Sequence, residues 1–106
     1  MTTFDDREKD FERKFALDAE LKFKSEARRN RLFGLWAAEQ LGLSGDAAKT
    51  YAGEVVAADF EAGGDGVARK VATDLAAHGI TIPDNQLREK MVQFMVLAVA
   101  QVQAGN

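Results

Sequence analysis

The sequence predicts an all-α fold, an antiparallel four-helix bundle with a long, partly overhanging N-terminal helix. Three observations carry that expectation. Apolar residues recur every three or four positions in four stretches. Glycines fall where those stretches stop, as helix-ending residues do. No alternating run is long enough for a convincing strand, and the nearest one, Ile80-Thr81-Ile82, ends at Pro83. A chain of 106 residues fits one small domain with a modest core. It divides into an N-terminal arm, residues 1–19, and a bundle domain, residues 20–106.

Helix one runs from about Asp5 to Leu41. Gly42 can take the left-handed conformation that ends it, and Leu43 can fold back as the accompanying apolar contact. Ser44 is placed to cap helix two, with Asp46 suiting its positive end. Tyr51, Ala52, Val55, Val56 and Phe60 form the apolar side of that helix, and Gly63-Gly64 stops it. Asp65 caps helix three, where Val67, Val71 and Leu75 fall four apart, with Ala68 and Ala72 beside them. Gly79 and Ile80 repeat the ending of Gly42 and Leu43. Pro83 and Asp84 are good starters for helix four. Its stripe of Leu87, Met91, Phe94, Met95, Ala98 and Val102 is widened by Val92, Val96 and Val99, so helix four is expected to be the most buried element. The expected core comprises Leu32, Trp36, Val55, Val71, Leu75, Met91 and Met95.

The lengths are unequal. At 1.5 Å per residue helix one would be roughly 55 Å long and the others roughly 20 to 30 Å. Its apolar part, Leu32 to Ala38, lies at the C-terminal end, so that end belongs in the bundle. Before it, charges of both signs alternate with isolated phenylalanines. Phe4, Phe11 and Phe15 are seven and four apart, which puts them on one narrow helical stripe. That stripe is too thin and too charged at its flanks for a bundle wall. It suits a helix read by a partner's groove, against the plainer alternative of an arm packed weakly on its own bundle.

Composition narrows the function. A net charge of −3 argues against a dedicated nucleic-acid binder. No cysteine is present, so neither disulfides nor thiolate chemistry are expected, and a reducing cytoplasmic setting fits. The acidic start lacks the pattern of a secretory signal, and the apolar run from Met91 to Val102 is too short to span a membrane. His78, the single histidine, is expected in the last turn of helix three as a capping or surface residue. Gly63-Gly64-Asp65-Gly66 follows a helix rather than a strand and lacks the ending of a phosphate loop. Asp59, Glu61 and Asp65 lack the spacing of a calcium loop. No catalytic, metal or cofactor set is therefore expected. Lys22, Lys24, Arg28, Arg29 and Arg31 make the one basic cluster, read either as a solvated helix face or as a docking or anion contact where the arm joins the bundle.

The stretches FDDRE, ARRN and GLWAAEQLGL, followed by YAGEVVAADFE, VARKVATDLAAHGI and LREKM, resemble the zeta subunit family, the small ATPase inhibitor subunits of alphaproteobacterial F-type ATP synthases. The resemblance implies a four-helix protein whose N-terminal segment, about Met1 to Ala19, inhibits ATP hydrolysis. The segment contains Phe4, Asp5, Asp6, Arg7, Phe11, Lys14 and Phe15. It implies a partner, the catalytic head of the synthase, and a mechanism in which the arm enters between a catalytic and a non-catalytic subunit, reaches toward the central stalk and jams hydrolytic rotation. Such a protein would be cytoplasmic and held at the inner membrane only through the synthase. Members often carry a histidine after KFA; here Leu17 stands instead, so a histidine switch in the arm is not available. The alternative reading is a non-inhibitory accessory or small-ligand-binding helical bundle, with a weak nucleotide contact through Arg28, Arg29 or Arg31 as one version of it.

Overall fold

The computed structural model describes the backbone of residues 2–105 and the side chains of residues 18–105. These residues form three helices, α1 (Thr2–Gln40), α2 (Gly45–Ala77) and α3 (Asp84–Gln103). Among the described residues there is no strand. Three helices are therefore found where four were expected, and the difference lies at Gly63. This residue has φ 71° and ψ −166° inside α2, a conformation open essentially to glycine alone. The Tyr51 hydroxyl donates to the Asp74 carboxylate at 2.8 Å across 23 residues. A straight helix would separate those two by roughly 35 Å. Gly63 thus breaks α2 at the place where a helix stop was expected, and the two halves fold back to lie side by side. Lys70 reinforces the pairing, 3.1 Å from Asp74 and 3.8 Å from Glu54.

The turns at the other end follow the sequence closely. Leu43 N–H donates to the Ala38 carbonyl at 2.9 Å and Gly42 N–H to that of Glu39 at 3.1 Å. Ile80 and Gly79 repeat the pair on Leu75 and Ala76 at 2.8 and 3.0 Å. Both glycines have positive φ, 78° and 83°, which makes each a Schellman ending. Ser44 occupies the N-cap position of α2 but its side chain makes no capping bond, Pro83 precedes α3, and exposed His78 closes α2.

The C-terminal half of α1 is the middle of the molecule. It packs on both α2 and α3, which touch each other little. Phe33, Val55, Val67, Val71, Leu75 and Leu87 are fully enclosed, and Met91 nearly so. Gly34 permits the closest approach: a Cβ there would lie 2.8 Å from the Ala52 Cα. Phe33 stacks on Trp36 with centroids 5.7 Å apart and meets Phe94 at 6.4 Å.

Of the expected core, Val55, Val71, Leu75 and Met91 are buried, whereas Leu32, Trp36 and Met95 are only half-buried. The expectation that the last helix is the most buried does not hold. Only Leu87, Met91 and Ala98 of α3 are buried, while Val92, Val96 and Leu97 are exposed. The reason is geometric: α1 covers one side of α3, and α2 lies too far round to cover the next. Phe60 is likewise exposed, because it sits just before the reversal. The buried Ser25 Oγ and Asn30 Nδ2 find no hydrogen-bond partner among the described residues.

Candidate functional site

The side chains of Phe4, Asp5, Asp6, Arg7, Phe11, Lys14 and Phe15 lie outside the described residues. Their backbone positions belong to α1, Thr2–Gln40. Asp18, Ala19 and Glu20 are exposed, Leu21 is half-buried, and the first fully buried residue is Ser25. The described part of α1 therefore passes from solvent into the core within about two turns.

The basic cluster does not act as one patch. Helical geometry places Lys24, Arg28 and Arg31 along one side of α1. Together with Lys49 of α2 they line a groove of about 720 Å³. Lys24 bonds Glu20 at 2.8 Å, and this hydrogen bond, with the attraction of the ammonium, holds the Glu20 carboxyl below the usual range. The Arg28 guanidinium reaches the Gln101 side-chain oxygen of α3 at 3.4 Å. Arg29 turns the other way: its Nε donates to the Asn30 Oδ1 at 3.1 Å. Arg29 borders a second groove of about 740 Å³, floored by Met91, Met95 and Val99. Lys22 lines neither groove.

The second groove has a fixed rim. Arg88 bonds Asp84 at 2.7 Å and Asp65 at 2.8 Å. Those two hydrogen bonds, Asp84 foremost, raise its already high pKa further. Asp65, expected only as a cap, thus ties the second half of α2 to α3. Sequence reading did not single out Lys49 or Gly53, which the fold brings beside the α1 cations. The local signal for Lys49 is one lysine in an unremarkable helical turn.

Residues 1–101 match the family described as ATPase inhibitor subunit zeta. The chain belongs to that family. The zeta-family match spans residues 1–19 as well as the packed helices that follow. Among solved structures, a protein determined in solution by NMR is 48% identical, with a TM-score of 0.70; the likeness covers 81% of this chain and 99% of that one. No curated protein matches. Among the described residues no helix is long and apolar enough to cross a membrane.

Proposed function

We propose that this zeta-family protein is a regulatory subunit that inhibits ATP hydrolysis by the F-type ATP synthase. Its N-terminal helix enters a catalytic interface of the head, between a catalytic and a non-catalytic subunit, and obstructs rotation of the central stalk. The observation that carries the reading is the match to the inhibitor family over residues 1–101, and it is supported by the described part of α1, where Asp18 to Glu20 are exposed and the first fully buried residue is Ser25. Counting the two halves of α2 separately, the rest is a four-helix body that presents this arm. The protein would sit on the cytoplasmic side, attached to the membrane only through the synthase.

The stripe of Phe4, Phe11 and Phe15 supplies the apolar contact. Asp5, Asp6, Arg7 and Lys14 flank it with both signs, so they set register rather than net attraction. Burying one phenylalanine contributes roughly 1.5 to 3 kcal/mol. Phe11→Ala or Phe15→Ala should therefore raise the half-maximal inhibitory concentration about ten- to a hundredfold, at tenfold per 1.4 kcal/mol. The test titrates ATP hydrolysis by isolated head with each variant, the parent chain and a chain starting at Glu20. Inhibition by both variants equal to the parent would remove the aromatic stripe as the contact. Inhibition by the truncated chain would remove the arm altogether and leave an accessory bundle.

A further inference from the structure

The basic groove has a feature that its own chain does not explain. Gly53 lies in the middle of the first half of α2 and lines the groove. Glycine is among the poorest residues for a helix interior. At Gly34 the fold supplies the reason, since Ala52 leaves no room for a Cβ. At Gly53 it supplies none, because a Cβ would meet nothing within 4 Å, and its φ is not positive. An absent side chain facing open groove lets another backbone approach closely.

The groove's chemistry says what would approach. Its floor is apolar, with Ala27, Val56 and Val102, and Phe23 stands at its edge, 61% exposed. Four cations surround it, Lys24, Arg28, Arg31 and Lys49, and none of its lining residues is acidic, although the whole chain carries a net −3. Arg31 and Lys49 are exposed and have no ion-pair partner among the described residues. Lys24 to Arg31 spans seven residues, roughly 10 Å along α1. Charges a turn apart on an apolar floor match carboxylates a turn apart on an amphipathic helix, and are too spread to converge on one phosphate.

We propose that this groove docks an acidic amphipathic helix of a partner protein, its backbone seated over Gly53 and its carboxylates on Arg31 and Lys49, with Arg28 and Lys24, which already hold Gln101 and Glu20, along the same side. The proposal goes beyond the inhibitory arm and stands whether or not residues 1–19 inhibit. It uses helix-in-groove recognition, with apolar contacts for affinity and charge for orientation.

The test uses the full chain and a fluorescent synthetic helical peptide with leucines on one face flanked by glutamates. Anisotropy should report saturable binding that weakens with added salt, as screening of exposed charges requires. The same peptide with lysines for glutamates should not bind. Arg31→Glu with Lys49→Glu should weaken binding about tenfold or more. Gly53→Leu should do the same by filling the groove, while helix content and melting temperature stay at or above the parent's. No binding of the glutamate peptide at millimolar concentration would overturn the proposal, as would equal binding of the lysine peptide or parental affinity in both variants. Displacement of the peptide by pyrophosphate or ATP, with Gly53→Leu still binding as the parent does, would make the groove a simple anion site and would also overturn it.

Discussion

Leu75 is fully enclosed, and Met91 keeps only 8% of its surface in solvent. Shortening either leaves a void that packed neighbours fill only in part. Leu75→Ala and Met91→Ala should each cost about 2 to 5 kcal/mol in urea unfolding, with Met91 at the lower end because it is flexible and less enclosed. Tyr51 gives a pH-dependent test. Burial first, then the hydrogen bond to Asp74 and the charges of Asp74 and Glu54, hold its phenol above the usual range. Raised in the folded state, the group contributes stability that is intact below its unfolded pKa of about 10 and falls as pH rises through the folded value. Stability should therefore decline above about pH 10 in the parent, and Tyr51→Phe should flatten that decline in melting curves taken across the range. At this scale the sequence was readable wherever one period told the whole story. Val67, Val71 and Leu75 fall four apart and are all buried. Phe60 continues the spacing of Val55 and Val56 yet is exposed, because periodicity locates a face and not where its cover ends.

The helix endings were the most legible elements. Gly42-Leu43 and Gly79-Ile80 carry both the conformation and the apolar follower of their turns within two residues, so nothing distant had to be known. Gly63-Gly64 shows where local reading falls short: it marks the break correctly but not whether the chain ends, bends or reverses there. The two glycines should behave differently. Gly63 sits at φ 71° and ψ −166°, so Gly63→Ala should cost about 1 to 3 kcal/mol. Gly64 has ordinary φ and open space where a Cβ would go. Gly64→Ala should be neutral or stabilise by up to about 1 kcal/mol. Paired thermal melts of the two variants decide it, and equal losses would mean that the reversal does not rest on Gly63. The misjudged depth of α3 has a similar origin. Its apolar stripe is wide enough for two neighbours, but α1 alone packs closely on it. A single sequence does not state how many neighbours a helix has.

Among residues 18–105, every buried residue falls between Ser25 and Ala98. Deleting residues 1–19 should leave the melting temperature nearly unchanged, as differential scanning calorimetry would record. A fall of more than several degrees would mean that the arm contributes to the core. The abrupt fall in charge density near Leu32 was legible in the sequence. The basic groove was not, since it exists only where α1, the first half of α2 and the end of α3 come together. Its cations come from two helices, and its glycine looks like any other until the space around it is known.

The helix that would carry the proposed arm is also the one in the centre. The backbone of α1 runs as one helix from Thr2 to Gln40. If residues 1–19 act as the proposed arm, a pull on them would be delivered along the axis of a helical rod gripped on both sides, by α2 through the Gly34–Ala52 contact and by α3 through Phe33 and Phe94. Such a load is borne in shear, with many contacts strained together, rather than by peeling one after another. Torque is resisted in the same way, because turning the rod would drag the large side chains of the core out of their seats. Mechanically the bundle is a clamp, and the force needed to draw the rod free is set by the core.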